Sequence, residues 1–218
     1  MPELPEVQTI VDDLIAAGLE GAVIAAAEVR WPRSVATPGF ARRIKGQRIE
    51  RIVRRGKYLV FALAGGQSML VHLRMSGRLH ICPSGTPHAT HEHVILSLAD
   101  GRDLRLHDTR KFGRFHLVDD AAEVLESLGV EPFDKSFTPQ LLGTILGERR
   151  RMLKPLLLDQ TLIAGLGNIY ADEALWESSL HPCRGSDSLN EEEGRALHAA
   201  IRRVLKRGLA NRGTSLGT

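Results

Sequence analysis

From Ala22 to Val118 the chain is a run of short apolar stretches broken by turn residues, and at Asp119 that pattern stops. The stretches cover residues 22–30, 48–55, 58–63, 68–73, 93–98, 103–107 and 114–117. Ala64-Gly65-Gly66, Met75-Ser76-Gly77 and Asp100-Gly101 fall between them. Short runs with regular turn signals predict strands of a sandwich or barrel. Asp-Gly between two apolar runs predicts a hairpin, because its residues tolerate the positive φ that tight turns need. Ahead of the strands, Val7, Ile10, Val11, Leu14 and Ile15 recur at three- and four-residue spacing, which gives a helix one apolar face. Pro5 suits its first turn, where no amide hydrogen is required, and Gly18 and Gly21 end it.

Beyond Asp119 the period is helical over residues 121–128, 139–146, 155–158, 168–178 and 190–210. Thr138-Pro139 reads as an N-cap followed by a first-turn proline, and Ser188-x-x-Glu191 resembles a capping box. Strands first and helices second predict an α+β chain. The composition shifts near 129–136, which separates a helix-and-strand part, residues 1–130, from a helical part, residues 131–218, as two domains or one α+β unit.

At 43% hydrophobic and 25% charged residues, 218 residues suffice to bury a real core. No run approaches the roughly 18 apolar residues of a membrane span. The start, MPELPEVQ, has glutamates and prolines where a secretory signal has basic and then apolar residues, so a cytoplasmic location is expected. Cys82 and Cys183 are the two cysteines; they exclude a disulfide framework and a four-cysteine zinc site within these residues, so no cofactor or metal is expected in the chain. The net charge of +3 is mild, but its distribution is uneven. Between Arg30 and Lys57 stand ten basic residues and one acid, Glu50; residues 148–154 read ERRRMLK; after Glu193 come six basic residues and no acid. Such clusters neutralise phosphates, which makes nucleic acid the leading partner class over plain solvated faces.

Individual motifs admit two readings each. Pro2-Glu3 is a proline-rich helix start, or, once Met1 is removed, a secondary amine beside a carboxyl group. An α-amino group has a reference pKa of roughly 8, so part of it is neutral and nucleophilic near pH 7. Glu3 and Glu6 are near enough in sequence to move protons around it. Lys57 is a solvated strand-edge lysine or a functional cation. Gly165-Leu166-Gly167-Asn168 lacks the third glycine of a dinucleotide fingerprint, having Tyr170 there, and reads as a turn whose amides suit one phosphate or as a plain turn between helices. His88, His91 and His93 match no common zinc spacing and suit phosphate contact better than metal. Met75 and Phe112, each beside glycine in a turn, are core residues or, with Arg110, an intercalating wedge.

Taken together, MPELPEV at the start, RGKYL at residues 55–59, HLRMSG at 72–77, DTRKFG at 108–113 and GLGNIYADE at 165–173 resemble the bacterial formamidopyrimidine-DNA glycosylase family along essentially the whole chain. Leu4 favours this branch over the endonuclease VIII branch. The resemblance implies an enzyme of base excision repair that excises oxidised purines such as 8-oxoguanine and formamidopyrimidines, then nicks the abasic strand by β- or β,δ-elimination. It implies Pro2 as the nucleophile forming a Schiff base at the sugar C1′, Glu3 as its acid/base partner, and Lys57 as a phosphate contact and proton donor. Met75, Arg110 and Phe112 would fill the void left by the extruded nucleotide, with Arg110 facing the orphaned cytosine. His91, Arg110, Arg150, Lys154 and Asn168 would hold DNA, and Glu6 would lie in the lesion pocket. The fold implied is a helix on a β-sandwich followed by a helix-two-turn-helix domain, acting as a monomer on damaged double-stranded DNA held in the cleft between them and associated with the nucleoid. The family continues into a lesion-capping loop and a four-cysteine zinc finger, and the sequence stops at Thr218, ahead of both. Two other readings stay open: a lesion-binding module without catalysis, and an endonuclease VIII-like enzyme for oxidised pyrimidines.

Overall fold

The computed structural model describes residues 1–214; the last four residues of the expected second domain lie outside the described residues. The chain divides into two units, Met1–Pro2 with Val7–Leu125, and Glu3–Glu6 with Glu126–Thr218. The first helix, α1 (Leu4–Ala16), begins one residue before Pro5.

In the first unit eight strands form two antiparallel sheets. One has the order β1 (Ile24–Val29), β6 (Glu92–Leu98), β7 (Arg102–His107), β5 (Arg78–Pro83); the other has β2 (Ile49–Arg55), β3 (Tyr58–Leu63), β4 (Ser68–His72), β8 (Arg114–Val118). Leu59, Phe61, Met69 and Val71 from one sheet share a core with Val94, Leu96, Leu104 and Leu106 from the other. Val7, Val11 and Leu14, spaced along one face of α1, close that core. Each such side chain, fully buried, contributes roughly 1.5–3 kcal/mol. The period of two in β3 and β4 turns Tyr58 and His72 to the opposite face, where His72 stands opposite both Tyr58 and Arg114 in the register.

The expected hairpin joins β6 to β7, with Gly101 at φ 86 and the Asp100 carboxylate accepting from the Arg102 amide at 3.2 Å. Strand β5 and a five-residue helix, α2 (Phe40–Ile44), lack a clear sequence signal. β5 is an edge strand with only Leu79 and Ile81 as aliphatics, and α2 is a single turn anchored by Phe40 and Ile44. The helix expected over 121–128 is only α3 (Ala122–Leu125), with no buried residue to extend it.

The second unit is helical: α4 (Pro139–Glu148), α5 (Leu153–Leu157), α6 (Asn168–Glu177) and α7 (Glu191–Ala210). Leu142, Leu156, Ala171, Leu175, Leu197, Ile201 and Val204 meet in its core, which also takes in Leu4. Thr138 caps α4 as expected, its hydroxyl accepting from the Leu141 amide at 3.1 Å. The capping box expected at Ser188 and Glu191 is instead formed by Asn190 and Glu193, each side chain accepting the other's backbone N–H at 2.9 Å. Leu189 is still extended, so the helix cannot begin before Asn190, and the Ser188 hydroxyl donates to Gly185 O within a 3-10 turn.

The acid-free run after Glu193 is less unbalanced than its sequence suggests. Arg203 and Arg207 pair with Glu177 and Glu173 from α6, Arg195 pairs with Glu191, and Arg202 lies over the Phe133 ring and donates to Pro132 O. Among the described residues no helix is long and apolar enough to cross a membrane.

Candidate active site

In the second unit the N-terminal carboxylates are tied to α6. Glu3 is 2% exposed, and its carboxylate accepts from the amides of Ile169 (2.9 Å) and Tyr170 (3.4 Å). Those amides belong to the first turn of α6, which has no carbonyl partners within the helix and favours an anion. The Leu4 amide donates to Gly165 O at 3.0 Å, so two residues in succession are fastened, one to α6 and one to the Gly-Leu-Gly turn before it. The glycines make this approach possible: a Cβ at Gly167 would lie 2.3 Å from Glu3 Cδ, and one at Gly165 would lie 2.9 Å from Leu4 Cβ. Of the amides expected to cradle a phosphate at this turn, that of Gly165 is taken by the Gln160 side chain at 2.9 Å, while Glu3 takes the next two amides of α6, those of Ile169 and Tyr170.

Glu6 is the second tie. Its carboxylate accepts from the Glu3 amide (2.9 Å), the Tyr170 hydroxyl (3.0 Å) and the Thr214 amide (2.9 Å). Burial, with Glu6 and Glu3 close by, pushes the Tyr170 hydroxyl well above its ordinary range, so it stays a donor. Tyr170 rests against Gly208, where a Cβ would fall 2.4 Å from the hydroxyl oxygen. Gly208→Ala is expected to displace the ring and lower the thermal midpoint by roughly 3–10 °C, measured by calorimetry.

In the first unit, Met1, Arg74, Met75, Phe112 and Arg114 line a hollow of about 410 Å³. Met75 and Phe112 are 46% and 47% exposed, which overturns the reading of both as core residues. The Arg110 guanidinium lies 5.1 Å from the centre of the Phe112 ring. Lys57, read from its residue type as a solvated strand-edge cation, is only 6% exposed. It occupies the two-residue turn between β2 and β3, where Gly56 takes φ 57 and Arg54 braces the turn by donating to Gly56 O at 3.0 Å.

His72, in β4, is buried against Tyr58, with ring centres 4.7 Å apart, and accepts the Arg74 amide through Nδ1 at 3.0 Å. Burial, then the charges of Arg74 and Lys57, push its pKa down to about 3. The folded protein keeps this ring neutral, whereas the unfolded chain protonates it near 6.5. Stability is therefore full above about 6.5 and falls as pH drops toward 3. His72→Gln is expected to flatten that part of the stability profile, read from urea midpoints at several pH values.

Residues 1–115 match the formamidopyrimidine-DNA glycosylase N-terminal domain, and residues 128–218 match the formamidopyrimidine-DNA glycosylase H2TH domain. The chain belongs to the formamidopyrimidine-DNA glycosylase family. The protein of that name from Protochlamydia amoebophila is 45% identical over 220 residues, covering 100% of this chain and 80% of the relative. The one from Moorella thermoacetica is 48% identical over 224 residues, covering 99% and 81%. Among solved structures, a Lactococcus lactis Fpg variant in complex with Fapy-dG containing DNA superposes with a TM-score of 0.94 at 34% identity, covering 100% of this chain and 82% of that one. The MutM (Fpg) protein from Thermus thermophilus gives 0.89 at 40% identity, covering 99% and 79%.

The expected site residues of this formamidopyrimidine-DNA glycosylase family member are drawn from both units. Glu3, Glu6 and the Asn168 end of α6 come together in the second unit, and Asn168 itself is exposed. The Arg150 side chain is 90% exposed beside Asp187, and Lys154 pairs with Asp172 at 2.8 Å. Met75, Arg110 and Phe112 sit on exposed loops of the first unit, where Pro2 is half-buried. His91 adopts φ 70, its ring edge-on to His93 and His107, while His93 is buried and bonded through Nε2 to Asp108 O at 2.9 Å. Among the described residues no group of three or more His, Cys, Asp or Glu gathers as a metal site, and Cys82 and Cys183 are free thiols. Two thiols do not make up a four-cysteine zinc set.

Sequence reasoning passed over Tyr170 and Asp108. Both lie inside motifs quoted above, but their partners, Glu6 and Gly208 for one and Ser76 for the other, are distant in sequence.

Proposed function

We propose that this protein removes oxidised purines, 8-oxoguanine and formamidopyrimidines, from double-stranded DNA and then nicks the strand at the abasic site. The observation that carries the reading is the seating of Glu3: a buried carboxylate, fixed by two helix amides, on the residue covalently joined to Pro2. Once Met1 is removed, the Pro2 nitrogen is a secondary amine whose neighbouring carboxylate cannot swing away.

The chemistry is that implied by the resemblance to the family, and the seating of Glu3 is consistent with it. A base inside a duplex does not expose its glycosidic carbon, so the nucleotide must first leave the stack, at a cost of a few kcal/mol. Met75 and Phe112, apolar and exposed, suit the vacated space and offset part of that cost. The Pro2 nitrogen attacks C1′; the glycosidic bond breaks and its electron pair leaves with the base, which takes a proton. The sugar ring then opens as O4′ is protonated, giving an iminium on Pro2. Loss of a C2′ proton expels the 3′-phosphate. In this reading Glu3 relays protons at O4′ and the amine, and Lys57 supports the phosphate.

Relatives of the family are seen with DNA containing Fapy-dG or an abasic site, and this supports the same substrates here. The test is strand cleavage of duplexes bearing 8-oxoguanine, thymine glycol or no lesion. Cleavage at 8-oxoguanine well above the other two supports the proposal. Lesion binding without cleavage would return the non-catalytic reading, and preference for thymine glycol the endonuclease VIII-like one.

A further inference from the structure

We infer that Asp108 is a positioning residue for the wedge: its buried carboxylate fastens the Met75–Ser76 turn and the Arg110–Gly113 loop into one body, so that Met75, Arg110 and Phe112 meet the duplex together. This rests on the glycosylase reading above.

Asp108 follows the last residue of β7 and is 0% exposed. Its carboxylate accepts from the Ser76 hydroxyl at 2.5 Å, the Arg110 amide at 3.2 Å and the Gly113 amide at 2.7 Å. One donor thus comes from the loop after β4 and the others from the loop before β8. The Arg110 amide also donates to Ser76 Oγ at 3.1 Å, which closes the link. Only an ionised carboxylate offers two acceptor-only oxygens to such a set of donors. Burial works against the charge, but the Ser76 hydroxyl and the Gly113 and Arg110 amides outweigh it and hold the group below the usual carboxylate range.

The two loops need such a clasp. Arg74 and Lys111, one in each, adopt φ 56 and 60, a left-handed conformation that non-glycine residues avoid. The base of the second loop is seated further by Lys111 Nζ lying 4.5 Å from the centre of the Trp31 ring and by His93 Nε2 on Asp108 O. The tips remain exposed while their roots are bound to each other. A wedge already in one arrangement has no ordering cost to meet when the nucleotide is extruded.

The test uses protein whose first residue is Pro2. Asp108→Asn puts an NH₂ where a donor needs an acceptor; Ser76→Ala removes one link and keeps the charge. Two rates are compared: excision from an 8-oxoguanine duplex, which needs the wedge, and borohydride trapping on a single-stranded abasic oligonucleotide, which has no stack to fill. Asp108→Asn is expected to slow duplex excision about tenfold or more while single-strand trapping stays within about twofold, with Ser76→Ala shifting the same ratio by a smaller factor. Adding Met75→Ala to Asp108→Asn is expected to cost less than Met75→Ala alone, because both act through one contact. Parallel loss of both rates, no change in duplex excision, or multiplicative effects of Met75→Ala and Asp108→Asn would overturn the inference. Should Asp108→Asn fail to fold, an unchanged ratio in Ser76→Ala would overturn it. Absence of trapping by the parent protein would instead count against the glycosylase reading.

Discussion

Protein that retains Met1 is expected to lose borohydride trapping on abasic DNA by at least about a thousandfold, while its affinity for the same duplex changes little. The Met1–Pro2 peptide nitrogen is a tertiary amide. Its lone pair is delocalised into the carbonyl, so it cannot add to C1′. The side chains read as DNA contacts, His91, Arg110, Arg150, Lys154 and Asn168, are left as they were. Binding should therefore survive, read by fluorescence anisotropy at fixed salt, because phosphate contacts depend steeply on ionic strength. Equal trapping with and without Met1 would move the nucleophile elsewhere.

The second large effect concerns Glu3. Glu3→Gln is expected to slow excision of 8-oxoguanine by about 10²–10⁴-fold, the usual range for removing a placed general acid or base. The same variant should still form an iminium on a preformed abasic site, since an opened sugar presents an aldehyde and no base has to depart. A glutamine oxygen can still accept from Ile169 N, so the fold is expected to hold at a cost of about 1 kcal/mol. Gly167→Ala separates chemistry from placement. It leaves Glu3 intact but puts a methyl 2.3 Å from the present position of Glu3 Cδ, and should reproduce much of the excision defect. Normal excision by Gly167→Ala would mean that the seating of Glu3 on α6 is not what matters.

Features set by local chemistry were legible in the sequence. Thr138-Pro139 capped its helix because a hydroxyl, three residues and a proline suffice. Tyr58–Leu63 formed a strand with the bounds read from its apolar run, because an interior strand with one face wholly buried leaves little ambiguity. Ser188-x-x-Glu191 misled because Asn190-x-x-Glu193 competes two residues later, and only the extended Leu189 decides between them. The charge count after Glu193 misled for a different reason. It registers neighbours along the chain, while Arg203 and Arg207 find Glu173 and Glu177 across two packed helices.

The site divides in the same way. Pro2-Glu3 and the Gly-Leu-Gly turn were visible as separate motifs, but nothing in either says that the Glu3 carboxylate takes the amides of the helix that follows the turn, 166 residues away. Exposure of Met75 and Phe112 and burial of Lys57 ran against what those residue types do most often. Such reversals are expected where function outweighs local preference.

In the proposed reaction the Pro2 nitrogen becomes bonded to the sugar. The most direct measurement of that bond is peptide mapping by mass spectrometry of the borohydride-reduced adduct between Met1-processed protein and an abasic duplex. Attack by Pro2 puts the added sugar mass on the N-terminal peptide, with fragmentation placing it on the nitrogen of Pro2. An adduct mapped to Lys57 or any other side chain would contradict it.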